Sequence, residues 1–507
     1  MKKVVVIGAG LGGLSAAIRL AKKGFPVTIV EQNNKTGGKA NEINEEGFRF
    51  DTGPSLLTMP FVIEELFTEA GFEIGEYLDF VQPEVLCRYF YPSGKEVDAW
   101  SDLDKFVNEL SLKFDEPRGV IQSYFDYSKK IYDLTAELFL FKSFREYSTF
   151  LNKKALKTLL NLPKIDSFRT MHQANASFFK HPELIQLFDR YATYNGSDPY
   201  KAPATLNIIQ HVEYGIGGFT LKGGIYSLSK AMTDVALKLG VEILTNHPVD
   251  EIVLACNKVH GVCCRGKVID DPNKVIGVRC GEKLIDADIV VSNSDVTNTY
   301  RKLLNDSQVT PARKYYKTEP SSSALVFYWG VQGEYPQLKM HNVIFSDDYK
   351  KEFTEIFDDG KVPNDPTIYI YISSKYNPTD AVENGENWFV MINMPPGKEK
   401  SELDIESVKK KIIEKVKKTL NIDLNKKIIF EKILTPQMIE EKTSSVFGSL
   451  YGISSNNRFA AFLRQDNRSK EYNGLYFCGG SAHPGGGIPL VILSGKIVSD
   501  LISKYGV

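Results

Sequence analysis

The residues best equipped for chemistry open the chain. Lys2-Lys3-Val4-Val5-Val6-Ile7 is a β-branched run of the kind found in buried parallel strands. It meets Gly8-Ala9-Gly10-Leu11-Gly12-Gly13, and from Leu14 to Ala21 apolar residues recur at helical spacing. Gly24 closes that helix, and Val27-Thr28-Ile29-Val30 is a second strand ending at Glu31. In such a strand–turn–helix each glycine has a task. Gly8 allows the tight turn, Gly10 lets backbone approach a pyrophosphate, and Gly13 lets helix and strand pack closely. The helix N-terminus at Leu11-Gly12 attracts negative phosphates. Glu31, 18 residues beyond Gly13, can accept hydrogen bonds from an adenosine ribose, and its charge disfavours a 2′-phosphate. A glycine-rich turn of some other α/β domain is the competing reading, but the strand–helix–strand context favours a dinucleotide. NADP is disfavoured, while NAD and FAD both stay open on these residues alone.

Two further stretches narrow the choice. Thr36-Gly37-Gly38-Lys39-Ala40 and Asp51-Thr52-Gly53-Pro54-Ser55 follow the ribose acid, a pattern not expected of a nicotinamide dehydrogenase. It suggests a second layer of backbone around a longer cofactor. Near the C-terminus, Gly474-Leu475-Tyr476-Phe477-Cys478-Gly479-Gly480 reads as a strand entering a glycine turn. Ser481-Ala482-His483-Pro484-Gly485-Gly486-Gly487-Ile488-Pro489 is a loop, and a helix runs from Leu490 to Leu501. A second glycine loop feeding a helix N-terminus can stabilise negative charge at the N1–C2=O edge of a reduced flavin.

These stretches closely resemble the bacterial-type phytoene desaturase family, FAD enzymes of carotenoid synthesis within the amine oxidase-like flavoproteins. The motifs occur in the family's order and spacing across the whole chain. The resemblance implies FAD as cofactor, held at Gly8, Gly10, Leu11, Gly12, Gly13, Glu31, Gly37, Gly38, Lys39, Gly53, Pro54, Ser55, Val249, Asn293, Gly479, Gly480, Gly487, Ile488 and Pro489. At Val249 the contact would be from backbone to adenine. The implied fold class is α/β. A Rossmann-like FAD-binding domain is assembled from residues 1–85, 220–299 and 441–507, and a mixed-sheet substrate domain from 86–115 and 300–440. Residues 116–219 form a helical, membrane-associating region. Two departures stand out. Gly480-Ser481 replaces the Gly-Asp usual among amine oxidases, and Lys39 stands where many relatives carry arginine, keeping the charge without the planar fork.

The activity implied is insertion of C=C bonds into a carotenoid by hydride transfer to flavin, with a slight preference for the 1-hydroxycarotenoid 3,4-desaturase branch over phytoene desaturase. A flavin-dependent polyene isomerase or saturase, an amine oxidase, and a non-enzymatic prenyl-protein escort-like module are the alternatives. Flavin absorbance near ~450 nm separates the last from the others. No catalytic base is assigned. His247 in a turn before proline and His483 in the C-terminal loop read as structural. With a single dinucleotide fingerprint, the electron acceptor is expected to be oxygen or a membrane quinone.

The elements that must position these residues fit an ordinary globular chain. Its 507 residues allow about three domain-sized units, and a net charge of −1 offers no global field for nucleic acid. No apolar run approaches the ~20 residues of a membrane-spanning helix. Cys87, Cys256, Cys263, Cys264, Cys280 and Cys478 have neither metal-ligand spacing nor a disulfide framework. The chain opens directly on its first strand. A reducing, cytoplasmic location without a leader, peripheral on the inner face of the membrane, is therefore the expectation. Aromatic strands such as Ser323 to Trp329, Thr367 to Tyr371 and Trp388 to Ile392 could line a flat apolar wall or simply fill a core.

Between residues 142 and 180, eight Lys or Arg face only Glu146 and Asp166, a local charge of +6. On a helix, Leu151, Ala155, Leu156, Leu159 and Leu160 share one face and Lys153, Lys154 and Lys157 the other. Such a basic amphipathic helix suits an anionic bilayer surface, and a lipid-dissolved substrate favours that over simple packing on the core. Lys153→Glu, Lys154→Glu and Lys157→Glu together are expected to abolish flotation with anionic liposomes. Retained binding would refute the membrane assignment.

Overall fold

The computed structural model describes residues 1–143, 165–255, 271–397, 403–457 and 464–506. Five short strands, drawn from five separated places in the chain, form one parallel sheet. Their order is Glu242–Leu244, Val27–Val30, Val4–Ile7, Ile289–Ser292, Leu475–Phe477. The register pairs Val4 with Val27 on one side and with Ile289 on the other. The central strand is buried along its whole length, which explains its unbroken β-branched sequence.

The two faces of this sheet are covered differently. Val4, Val6, Val27 and Ile29 join one apolar cluster with helices Leu11–Lys22, Tyr226–Lys238 and Ile488–Tyr505. Val5, Ile7, Val290 and Phe477 join another with Ile252, Val275 and Val278, which belong to an antiparallel sheet of Glu251–Leu254, Val275–Cys280 and Lys283–Asp286. The first and last of the three helices approach very closely. Ser15 Oγ donates to Ile492 O at 2.7 Å. A Cβ on Gly495 would lie 2.6 Å from Ser15 Oγ and 2.7 Å from both Ala16 N and Gly12 O.

A seven-stranded mixed sheet stands beside this unit, ordered Ile428–Leu434, Ser323–Gln332, Gly385–Met394, Ile368–Ile372, His341–Ile344, Val85–Phe90, Glu96–Trp100. Only the pairing of His341–Ile344 with Val85–Phe90 is parallel. Period-2 alternation sorts its aromatic residues. Phe327, Trp329 and Trp388 point into a core shared with helix Ile405–Leu420. Tyr328, Tyr371 and Phe389 point the other way, toward Phe48 and Phe50. Both faces are thus buried in apolar clusters. Cross-strand pairs Tyr328–Phe389, Phe389–Tyr371 and Tyr371–His341 make a continuous row across four strands on the second face.

The segment after Pro117 is helical over Arg118–Phe139, Met171–Phe178 and Pro182–Asp189. It packs on the Val85–Phe90 end of the large sheet through Tyr124, Phe125, Phe188 and Tyr191. The basic stretch 151–160 lies outside the described residues, as do Cys256, Cys263 and Cys264. Among the described residues no helix is long and apolar enough to cross a membrane, and no group of acids, histidines and cysteines could hold a metal ion.

The helix–helix contact yields a stability test. Gly495→Ala forces a methyl group against backbone and is expected to cost about 1–3 kcal/mol in denaturant unfolding. Gly119→Ala, in the helix Arg118–Phe139 with open space around it, is expected to be neutral or to stabilise by up to about 1 kcal/mol.

Candidate cofactor and substrate site

The first glycine turn is held before any ligand is considered. Gly8 N–H donates to Val30 O at 2.8 Å, and a Cβ on Gly13 would fall 2.2 Å from Gly8 O. Helix Leu11–Lys22 starts with Gly10 as its N-cap and no side chain capping it, so its first N–H groups are kept for another acceptor. Glu31 is 4% exposed. It accepts from Ala9 N at 2.7 Å and from Asn33 N and Nδ2 at 2.9 and 2.8 Å. Its carboxylate therefore ties the second strand to the glycine turn, a role the ribose reading had not included.

The chain after Leu244 docks beside Glu31. His247 N–H donates to Glu31 O, and Asn246 N–H to Asn33 O. Val249 packs partly buried against the cluster containing Val30 and Ile252. The His247 ring binds Thr245 O through Nδ1 at 2.7 Å, the structural use expected of it.

Gly37 and Gly38 cross directly over the first turn. Both have positive φ, 112° and 60°. Gly37 N–H donates to Ala9 O at 2.8 Å, and a Cβ on Gly38 would lie 3.2 Å from Gly10 Cα. Lys39 donates to the carbonyls of Ser449 and Leu450 at 3.1 and 2.7 Å. Burial lowers its ammonium to about 8, against the opposing pull of Asp295. A Cβ on Gly53 would sit 2.2 Å from Lys39 O, so the turn Gly53-Pro54-Ser55 lies against the glycine pair. Ser55 Oγ then bonds Tyr369 Oη at 2.6 Å, joining that turn to the large sheet.

Asn293 links the first turn to the C-terminal loop. Its Nδ2 donates to Gly8 O at 3.3 Å. A Cβ on Gly12 would meet Asn293 Oδ1 at 2.7 Å and Gly479 N at 3.0 Å. Gly480 O accepts from Arg464 Nη1 at 2.9 Å. Gly487 N-caps helix Ile488–Tyr505, again without a capping side chain and with proline, Pro489, in the first turn. His483 directs Nε2–H to Lys142 O at 2.9 Å, while its own carbonyl accepts from Asn467 and Ser494. It shapes the loop. The structure thus brings Gly8 to Gly13, Gly37 to Ser55, Asn293 and Gly479 into one connected arrangement. Val249 belongs to its Glu31 end.

Several residues of this region escaped sequence reading. Arg49 is surrounded by Asp51, Asp380 and Glu42 at 2.6, 3.0 and 3.1 Å, and Asp51 also accepts from Tyr226 N at 3.1 Å. Burial raises the Asp51 carboxyl while Arg49 opposes the rise. Arg464 is buried and, among the described residues, donates to neutral oxygens, those of Tyr451, Gly480, Ile453 and Asn195. Burial lowers its guanidinium to about 10. Asp295, raised by burial, supplies an acid near a loop that has none of its own. Ser481 Oγ accepts from the neighbouring Val296 N at 3.0 Å. Only the Arg49–Asp51 spacing, two residues apart in a strand and so on one face, gave any local signal.

Two glycine turns in backbone contact, each feeding an uncapped helix N-terminus, fit an extended, doubly phosphorylated cofactor. Comparison with known proteins agrees. The family described as flavin containing amine oxidoreductase matches residues 11–503. The chain is 43% identical over 504 residues, 99% of each protein, to a 1-hydroxycarotenoid 3,4-desaturase of Flavobacterium sp. (strain P99-3). It is 35% identical, over 99% of this chain and 97% of the other, to a 4,4'-diaponeurosporene oxygenase of Staphylococcus haemolyticus (strain JCSC1435). Among solved structures, cyclohexylamine oxidase from Brevibacterium oxydans IH-35A superposes with a TM-score of 0.62 at 14% identity, covering 99% of both chains; at that identity the likeness concerns fold. With the match running from the first glycine turn to the last helix, the chain belongs to the flavin-containing amine oxidoreductases and is an FAD-dependent oxidoreductase.

Proposed function

We propose that this protein is a carotenoid desaturase of the 1-hydroxycarotenoid 3,4-desaturase type. The observation that carries the reading is the end-to-end identity of 43% with a protein of that name, which exceeds the 35% and 36% shared with two carotenoid oxygenases. The cofactor unit would comprise residues 1–85, 220–299 and 441–507, and the substrate unit 86–115 and 300–440. Gly10, Gly12, Gly38, Gly479 and the two helix starts would hold the pyrophosphate and flavin ends of FAD, with Glu31 and Val249 toward the adenosine.

When bound, FAD supplies the two-electron acceptor needed to take a hydride from a carbon with no polar handle. The chain's own contribution is placement and exclusion of water. The large sheet turns Tyr328, Tyr371 and Phe389 toward the Asp51–Ser55 turn, and Tyr328 Oη donates to Thr52 O at 3.1 Å, fixing that wall against the cofactor unit. Asp51 and Glu31 are each occupied by named donors, and His483 and His247 by carbonyls. This fits a reaction in which the polyene itself spreads developing positive charge. Lys39 and the buried Arg464 place positive charge beside the two glycine loops, where negative charge on a reduced flavin would be stabilised. A lipid-dissolved substrate and the partly exposed apolar residues Phe61, Leu140 and Phe141 support docking on an anionic membrane, with oxygen or a quinone as final acceptor.

Expression in cells supplied separately with 1-hydroxylated, non-hydroxylated and 4,4'-diapo carotenoids, followed by pigment analysis, tests the reading. One added double bond next to the hydroxylated end is the expected product. Oxygen insertion at a terminal methyl would assign the oxygenase activity instead. Gly12→Val is expected to give protein without flavin absorbance near ~450 nm, because its side chain would displace Asn293 and Gly479. Normal flavin content in that variant would overturn the cofactor placement.

A further inference from the structure

The hydroxyl group of such a substrate sets a geometric condition. In a 1-hydroxy polyene desaturated between C-3 and C-4, the oxygen lies within about 4 Å of C-3 by ordinary bond lengths. Whatever recognises it must therefore stand beside the cofactor-side turn, and must do so without bringing water to the reacting carbons.

One polar group of the large sheet meets both conditions. His341 ends the row of cross-strand aromatic pairs that begins at Tyr328, and it is 3% exposed. Its ring lies nearly parallel to those of Tyr371 and Tyr369, with centroids 4.9 and 6.0 Å away. Nδ1 bonds Tyr369 Oη at 2.7 Å, and Tyr369 Oη bonds Ser55 Oγ at 2.6 Å. Ser55 follows Gly53, which touches Lys39 beside the glycine pair. The chain Ser55–Tyr369–His341 thus reaches from the cofactor unit into the sheet. At its end, His341 Nε2 is buried with no hydrogen-bond partner among the described residues, an arrangement that is costly unless a ligand completes it.

We propose that His341 Nε2 binds the hydroxyl group of a 1-hydroxylated polyene and selects it over the polyene lacking that group. The inference rests on the desaturase reading above. Burial, aided by the charge of Arg190, pushes the imidazolium down to about 3, so the ring meets the substrate uncharged. When Nδ1–H donates to Tyr369 Oη, Tyr369 donates on to Ser55 and Nε2 carries the lone pair that accepts the substrate O–H. When the chain runs the other way, Nε2–H donates to the same oxygen. An alcohol satisfies either direction, whereas a hydrocarbon end leaves the nitrogen bare. That asymmetry is what gives a hydrogen-bonding pocket its discrimination.

The test uses purified FAD-loaded enzyme and two polyenes identical except for the 1-hydroxyl. Kd is read from the polyene absorption shift, and kcat/KM from product pigments. The wild type is expected to favour the hydroxylated polyene by about 100-fold or more. His341→Phe is expected to remove that preference by weakening the hydroxylated substrate alone. His341→Gln, which keeps a hydrogen-bonding head, should recover part of it, and Tyr369→Phe should fall between. If His341→Phe fails to hold flavin, the Gln and Tyr369→Phe variants carry the same comparison. An equal loss on both polyenes would assign His341 to sheet packing and overturn the proposal while leaving the desaturase reading intact. A wild type without preference overturns it too. A wild type that adds double bonds to neither polyene refutes the underlying reading, and the proposal with it.

Discussion

The constraint on which this structure depends is the absence of side chains where Gly12, Gly479 and Asn293 meet. A single Cβ on Gly12 would approach both Asn293 Oδ1 and Gly479 N at 3.0 Å or less. Backbone there packs on backbone, and Val4–Ile7 and Leu475–Phe477, far apart in sequence, are held on either side of Ile289–Ser292. Their helices begin beside one another as a result. Each helix start leaves unpaired N–H groups, and the summed effect is a concentrated positive field with no ionised side chain at its centre. Charged groups stand just outside it. Lys39 and Arg464 add positive charge, while Glu31 and Asp51 are committed to holding backbone in place.

The large sheet stands over the Asp51–Ser55 turn with two unlike faces. Its inner and outer faces are both buried, yet they serve separate ends. The outer face, with Phe327, Trp329 and Trp388, closes a core against the helix Ile405–Leu420. The inner face carries tyrosines whose hydroxyls are spent on the neighbouring unit: Tyr328 on Thr52, Tyr369 on Ser55, Tyr371 on Asp51. Those contacts tie the sheet to the Asp51–Ser55 turn and fix the spacing between the two.

This division also explains what could be read from sequence. The first strand, helix and second strand are spelled out by one contiguous stretch, Val4 to Glu31, in which glycine spacing has few alternatives. The C-terminal glycine loop was legible for the same reason. The aromatic strands were not, because burial on both faces removes the polar alternation that would tell inside from outside. Arg464, Asp295 and the Arg49–Asp380 pair were invisible. Each acts through partners far away in sequence or through burial alone, and nothing in the residue type announces it. His341 is the sharpest case. A lone histidine in an apolar strand carries no signal until its register against Tyr371 is known.

The sheet that carries the first glycine turn is finished only by Leu475–Phe477, and the helix Leu11–Lys22 is covered only once Ile488–Tyr505 has docked, with Ser15 bonded to Ile492. Contacts of such long sequence separation form late, after the entropic cost of closing a large loop has been met. During synthesis the strand Val4–Ile7, its turn and the helix Leu11–Lys22 are therefore made well before these partners. Phe61–Ala70 and Tyr226–Lys238 cover part of their apolar surface earlier, and the rest stays open to water until Ile488–Tyr505 docks.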